Sequence, residues 1–379
     1  MLPLPYFYTM PIRPLLIIGT RPEAIKMTPV VTRCRMAQSL SPIVCMTGQH
    51  RELVAPLVDY FDLRPDVELA VMDATASLAT TAARLIEGLD HLIDKHRPDW
   101  IVAQGDTTST FAASTAAFYR KVPFLHVEAG LRTNNLAAPW PEEFHRRSTS
   151  LATTVHCAPT VRAVKTLQAE GVPPESIHLT GNTIVDALQY VLEQLGPSDD
   201  DPAPEPTVLI TGHRRENFGP GLESICRAIL TLAKTFPDHL FLYAVHLNPV
   251  VRQTVKKLLD GQNDHHPNIR LIDPPIYPKF VRLMAQSTLI LSDSGGIQEE
   301  TPTLGKPLLI LRETTERPEA VEASTAVLVG TDTDRIVTEA SDLLRSAERR
   351  AEFKEKKNPF GDGHAAERIA KILVGQGLP

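Results

Sequence analysis

The feature that most constrains this chain is a repeated unit: a short, near-continuous apolar run, a small polar turn, then a helix-forming stretch. In the first half the runs are Leu15–Ile18, Ile43–Thr47, Trp100–Gln104 and Phe124–Val127; in the second they are Thr207–Thr211, Leu240–Val245, Ile269–Ile272, Thr288–Leu291, Leu308–Leu311 and Ala326–Val329. Strands without polar alternation are buried on both faces, and strands alternating with helices pair in parallel through crossovers on both sides of the sheet. The predicted class is therefore α/β, with doubly wound sheets. In such sheets ligands lie beyond the carboxyl ends of the strands. Polar turns carrying Arg21, Asp106 and Glu128 fall there, after strands at 15–18, 100–104 and 124–127. Helices are expected from the first of these turns to about Ala37, over Leu78–His96, and after Gly105-Asp106-Thr107-Thr108.

The pattern breaks at Leu195–Pro206, an acidic, proline-rich stretch, and then restarts. Strand, glycine, basic residue, glutamate and helix recur as Thr207–Thr211, Gly212-His213-Arg214-Arg215-Glu216 and Leu222–Phe236. Two Rossmann-like domains facing across a cleft are expected, 14–195 and 204–361, with a last helix within 362–379 returning to the first domain. A length of 379 residues suits this, since domains hold roughly 100–200 residues. Residues 1–13 read as a loose extension. Most of the 32 prolines sit at predicted strand starts or first helical turns, so they punctuate folded elements.

Composition narrows the partners. A net charge of -6 supplies no basic field for nucleic acid. The 4 cysteines lack CxxC spacing, so no metal is assigned and a reducing compartment is expected. Met1–Pro14 carries no cationic leader before an apolar core, and Leu15–Ile18 is too short to span a bilayer, so the expected location is the cytoplasm, away from membranes.

The chemistry concentrates around Leu289–Glu300. An apolar run, Ser294-Gly295-Gly296 and a helix start expected to break at Pro302 would aim unpaired amides and the positive end of a helix dipole at a phosphate or diphosphate. Alone, Ser-Gly-Gly reads better as an ordinary strand-to-helix turn, and the case for a ligand comes from what surrounds it. Arg317, after another strand end, is a candidate clamp for that diphosphate, or one charge in a solvated mixed loop. Asp106, Glu128 and Glu142 follow strand ends or polar loops. Taken singly they would serve as a helix N-cap and two surface charges; gathered in one cleft, burial and mutual repulsion would suit them to acid/base work. His213, beside Arg214 and Arg215, marks an anion-binding loop at the matching strand end of the second half. No GxGxxG follows a strand and opens a helix, and no Walker A lysine motif is present, which disfavours a bound nicotinamide dinucleotide and ATP hydrolysis.

Together these residues resemble the bacterial UDP-N-acetylglucosamine 2-epimerases, most closely the non-hydrolysing type. The match runs from about Leu15 to Gly361-Asp362-Gly363. It rests on Gly19-Thr-Arg-Pro-Glu-Ala-Ile-Lys26, Gly105-Asp-Thr-Thr108, His126-Val-Glu-Ala-Gly-Leu-Arg-Thr133, Pro139-Trp-Pro-Glu-Glu143, Thr211-Gly-His-Arg-Arg-Glu216, Val245-His-Leu-Asn-Pro249, Asp293-Ser-Gly-Gly-Ile-Gln-Glu-Glu300 and Thr314-Thr-Glu-Arg-Pro-Glu319. The resemblance implies a glycosyltransferase-B-like pair of domains, a homodimer, and interconversion of UDP-GlcNAc and UDP-ManNAc for polysaccharide biosynthesis without an added cofactor. Carried over by motif, Arg21, Lys26, Asp106, Glu128 and His213 would contact the sugar diphosphate. Asp106, Glu128 and Glu142 would be the acid/base candidates, with His213 the fourth catalytic residue. Ser294, Gly295, Gly296, Glu300 and Arg317 would hold UDP, with Glu300 on the ribose and Pro275 and Phe280 at the uracil. Gln49, Arg214 and His246 match a regulatory site for a second substrate molecule, although Asp73-Ala74-Thr75 lacks an arginine expected there. His145 stands where the family usually has asparagine, Gly48 where it has alanine, and Pro275 where it has glutamine. The implied reaction is elimination of UDP across C1–C2 to 2-acetamidoglucal and re-addition. A hydrolysing epimerase releasing ManNAc, a UDP-sugar glycosyltransferase and a non-catalytic nucleotide-sugar sensor are the rival readings.

Overall fold

The computed structural model describes residues 10–48, 51–69, 76–196, 206–212, 214, 217–260 and 266–375. The chain divides into two compact units, residues 1–187 with 361–379, and residues 188–360. Most of the linker stretch expected at Leu195–Pro206 lies outside the described residues.

The first unit is built on β1 (Pro14–Ile18), β2 (Ile43–Met46), β3 (Val67–Glu68), β4 (Trp100–Gln104), β5 (Phe124–Val127), β6 (Val155–Ala158) and β7 (Ile177–Leu179). They form a parallel sheet in the order β3-β2-β1-β4-β5-β6-β7. Its helices are α1 (Arg21–Met36), α2 (Arg51–Tyr60), α3 (Leu78–His96), α4 (Thr108–Arg120), α5 (Glu142–Ala152), α6 (Val161–Ala169) and α7 (Thr183–Leu195), within which the division between units falls. α3 shows why such helices form. Ser77 caps it by accepting the Thr80 N–H at 3.1 Å, and Leu85, Leu89, Leu92 and Ile93 recur at helical spacing to bury one face. Arg97, in the left-handed region at φ 45°, ends it. That face packs with Leu15, Ile17, Ile101 and Phe124 of the strands.

The second unit contains β8 (Thr207–Gly212), β9 (Leu240–Val245), β10 (Ile269–Ile272), β11 (Leu289–Ser292), β12 (Leu308–Ile310) and β13 (Val327–Leu328), parallel in the order β10-β9-β8-β11-β12-β13. Its helices are α8 (Pro220–Thr235), α9 (Pro249–Leu259), α10 (Tyr277–Gln286), α11 (Gly295–Leu304), α12 (Pro318–Glu322), α13 (Thr333–Arg345) and α14 (Ala347–Lys354). Its core unites Val208, Ile210, Phe241, Tyr243, Leu289 and Leu291 with the inner faces of α8, α9 and α13. The last helix, α15 (Ala365–Leu373), groups with the first unit. Asp186 accepts the N–H groups of Ala365 and Ala366 at 3.2 and 2.8 Å, which satisfies amides that the start of α15 leaves open.

The α/β, doubly wound expectation holds in both units. One local expectation fails: α11 runs through Pro302 to Leu304. Pro302 lies in the last turn and costs only the bond to the Gln298 carbonyl, and the helix stops at left-handed Gly305, φ 60°. β3, β6 and β7 are too short, or too mixed with polar residues, to register as apolar runs. The four cysteines are buried thiols, and burial pushes those of Cys34, Cys45 and Cys226 up to about 12. Among the described residues no helix is long and apolar enough to cross a membrane, and no cluster of three or more metal-ligating side chains occurs.

Candidate active site

In the first unit the chain departs in opposite directions from β1 and β4, which makes their carboxyl ends the switch point where doubly wound sheets bind ligands. The β1 turn leads into α1, where Arg21 is the first, partly buried residue. Buried Glu23 ties this turn to its neighbour. Its Oε2 accepts the N–H groups of Gly19 and Thr20, both at 2.7 Å, and its Oε1 accepts the hydroxyls of Thr107 and of Thr110, the latter at 3.3 Å. Burial raises its pKa against the pull of those bonds. The fit is close: a Cβ on Gly19 would meet Ser109 Oγ at 2.2 Å and Thr47 Oγ1 at 2.8 Å.

Two of the expected carboxylates follow adjacent strands. Glu128, just after β5, has a left-handed backbone, φ 65°, that an L residue adopts at a cost of about 1–2 kcal/mol. Its Oε2 accepts Lys26 Nζ at 2.5 Å and Gln104 Nε2 at 2.8 Å, and the Lys26 and Glu128 side chains are only 9% and 6% exposed. Asp106 follows β4. The cap of α4 is Thr107, whose hydroxyl accepts the Thr110 N–H at 3.3 Å, so the Asp106 carboxylate is released from the capping role it would otherwise fill. Arg146 instead grips Asp106 Oδ2 through Nε and Nη2, each at 2.8 Å, while the Asp106 carbonyl accepts His145 Nδ1–H at 2.9 Å. Buried His126 donates to the Gly105 carbonyl at 2.7 Å, and desolvation pushes its pKa down to about 4.

The third carboxylate, Glu142, opens α5. It is partly buried and has no hydrogen-bond partner among the described residues. Its neighbour Glu143 points the other way. Glu143 is wholly buried and accepts the N–H groups of Thr133 and Asn134 at 3.0 and 3.1 Å, Arg146 Nη1 at 3.3 Å and Arg147 Nε at 3.4 Å. Burial opposes its charge, but these donors outweigh it and hold its carboxyl below the usual range. Arg146 thus spans Glu143 and Asp106.

In the second unit the switch point lies between β8 and β11. Buried Asp293 anchors it: Oδ2 accepts the Arg214 N–H at 2.9 Å and Asn217 Nδ2 at 3.2 Å, and Asn217 also donates to the Leu311 carbonyl at 3.0 Å. Ser294 caps α11 without a side-chain bond to its amides. Those amides stay open to an anion. Arg317 packs close against Gly295, where a Cβ would meet its Cζ at 3.1 Å; a Cβ on Gly296 would find Glu300 and Ser294 only at 3.9 Å. Arg317 is held by Glu299 Oε1 at 2.9 Å and Glu316 Oε2 at 3.0 Å. Buried Glu300 accepts the Tyr277 hydroxyl at 2.6 Å, which links α11 to the start of α10. Pro275 lies one residue before the N-cap of α10, Ile276, and Phe280 lies on the helix, partly buried.

The structure thus gathers Arg21, Lys26, Asp106, Glu128 and Glu142 on the first unit, and Ser294, Gly295, Gly296, Glu300 and Arg317 on the second. His213 and Gln49 lie outside the described residues, as do Asp73, Ala74 and Thr75. Of the remaining regulatory candidates, Arg214 is tethered through its backbone to Asp293, and exposed His246 accepts the Asn248 N–H on Nδ1 at 3.2 Å. Sequence reading gave no site role to Glu23, Gln104, His145, Arg146, Asp293 or Tyr277. Glu23 was signalled by the capping-box pattern Thr20-Arg21-Pro22-Glu23, and His145 by its standing where the family usually has asparagine.

Comparison with known proteins bears on the chain as a whole. The family model described as UDP-N-acetylglucosamine 2-epimerase matches residues 32–374. The UDP-N-acetylglucosamine 2-epimerase of Escherichia coli K12 is 45% identical over 370 residues, covering 95% of this chain and 97% of that protein. A crystal structure of UDP-GlcNAc 2-epimerase from Neisseria meningitidis, bound to UDP-GlcNAc, superposes with a TM-score of 0.89 at 42% identity, covering 96% of this chain and all (100%) of that one. S. aureus MnaA, solved with UDP, gives 0.87 at 37% identity, with coverage of 96% and 97%. On the extent of that match, with the fold and the strand-end chemistry, the chain belongs to the UDP-N-acetylglucosamine 2-epimerase family.

Proposed function

We propose that this enzyme interconverts UDP-GlcNAc and UDP-ManNAc by eliminating UDP across C1–C2 and adding it back. The observation that carries the reading is the pair of carboxylates at neighbouring strand ends, Glu128 fastened to Lys26 and Gln104 and Asp106 fastened to Arg146, with Glu142 close by on α5. The C2 hydrogen is not adjacent to a carbonyl, so its removal has to be coupled to departure of a stabilised leaving group. In the proposed reaction a carboxylate of the first unit takes the C2 proton as the C1–O bond to UDP breaks, giving 2-acetamidoglucal and UDP. UDP then returns to C1 while a carboxyl group delivers a proton to the opposite face of C2. The amides at the start of α11, with Arg317, stabilise the diphosphate charge as it develops. Glu300 takes the ribose hydroxyls, Pro275 and Phe280 the uracil, and Arg21 and His213 the sugar diphosphate. Membership of the family supports these assignments.

Incubation with UDP-GlcNAc alone in deuterated water tests the reading. UDP-ManNAc labelled at C2, with a trace of UDP and 2-acetamidoglucal, is expected; an unlabelled product would overturn the elimination, and free ManNAc as main product would make the enzyme hydrolytic. The same proposal includes a cytoplasmic homodimer supplying polysaccharide synthesis, with Arg214, His246 and Gln49 at a regulatory site. Light scattering tests the dimer, and initial rates against UDP-GlcNAc concentration test the regulation.

A further inference from the structure

His145 has no part in the reaction above, yet it bonds the backbone carbonyl of the residue that carries one of the acid/base carboxylates, Asp106. It is buried, 4% exposed, and lies on α5 three residues after Glu142 and one before Arg146. Its ring lies flat against Phe111 of α4, with centroids 5.1 Å apart and planes at 15°. Its Nδ1 is 2.9 Å from the Asp106 carbonyl oxygen. A carbonyl only accepts, so Nδ1 carries the hydrogen. Burial pulls the imidazole pKa below its ordinary value, against the Asp106 carbonyl bond and the charges of Asp106 and Glu142. The ring is therefore neutral at neutral pH, with its hydrogen on Nδ1. Asp106 is thus gripped at two points, the carbonyl by His145 and the carboxylate by Arg146.

We propose that His145 is a positioning residue for Asp106, acting through the single N–H on its δ nitrogen and not as a base. The inference rests on the acid/base role proposed for Asp106. It makes a sharp chemical distinction. Histidine Nδ1 and asparagine Nδ2 are both bonded to Cγ, so asparagine sets a donor in the same place, whereas leucine fills the space without one. Both replacements forfeit the stack on Phe111.

The experiment compares His145→Asn and His145→Leu with the parent enzyme for kcat and KM with UDP-GlcNAc, Kd for UDP, and melting temperature. His145→Leu is expected to lose about 10- to 10²-fold in kcat, the scale on which small misplacements of reacting groups act, with KM and UDP affinity unchanged within about twofold. His145→Asn is expected to stay within about threefold of the parent kcat while melting as early as His145→Leu. Should the leucine variant not accumulate, His145→Phe, which keeps a ring on Phe111 and lacks the donor, is expected to show the same loss. Full kcat in the donorless variants, or an equal loss in His145→Asn, overturns the proposal. Asp106→Asn run alongside separates the two levels. If it turns over normally, the acid/base reading falls and this inference with it; if it is inactive while the donorless variants are fully active, only the positioning role fails.

Discussion

Glu143→Gln is the most quantitative probe of how the first unit holds its site. The native side chain is 0% exposed, and its two oxygens face the N–H groups of Asn134 and Thr133 on separate sides. Glutamine offers one acceptor and one NH2 group, so whichever way the amide turns, one backbone N–H meets a donor. A buried polar group left unsatisfied costs about 1–3 kcal/mol. The lost Arg147 pair adds at most about 1 kcal/mol, because Arg147 is 43% exposed. Arg146 keeps Asp106 and is only partly released. A loss of about 1–4 kcal/mol follows, and at roughly 2–4 °C per kcal/mol for a unit of this size the first unit should melt about 2–16 °C earlier. The pH dependence supplies the stricter test. Because the folded carboxyl is held below its unfolded value of about 4.3, its stabilisation is complete above that pH and is lost as pH falls through the lower folded value. The gap between parent and variant in scanning calorimetry should be widest near neutrality and narrow progressively as pH falls below about 4.3. Equal melting at pH 7, or a gap unchanged at pH 3, would refute the reasoning.

Asp106→Asn, Glu128→Gln and Glu142→Gln should each lower kcat by about 10²-fold or more with UDP affinity largely kept, as kinetics and calorimetry will read; a variant with near-parent turnover removes its residue from the acid/base set. Gly295→Ala places a methyl group 3.1–3.3 Å from the Arg317 guanidinium and should weaken UDP binding about tenfold, a change of about 1.4 kcal/mol, by titration calorimetry. Asp186→Ala removes the acceptor for the Ala365 and Ala366 amides, so limited proteolysis should release the α15 segment faster than in the parent, at a cost of about 0.5–2 kcal/mol.

Much of this protein was written locally. Buried parallel strands need apolar side chains on both faces, so β1, β4, β5, β9 and β11 stand out as runs, and α3 stands out from one capping serine and a regular leucine spacing. The placement of the α11-turn glycines and of the carboxylates after β4 and β5 at strand ends was legible too, because each follows an apolar run and precedes a helix start or polar turn. Tertiary structure alone decided how those groups are held. Thr107, and not Asp106, caps α4, which leaves Asp106 for Arg146, reached across 40 positions of chain. Lys26 meets Glu128 across 102 positions, and Gln104 joins them from the end of β4. Glu143 stands beside Glu142 in sequence but is turned inward to pin the loop at Thr133 and Asn134. A helix separates adjacent residues by about 100° of rotation, so two neighbouring glutamates are sent to opposite tasks, and which one faces the core is settled only when the helix packs.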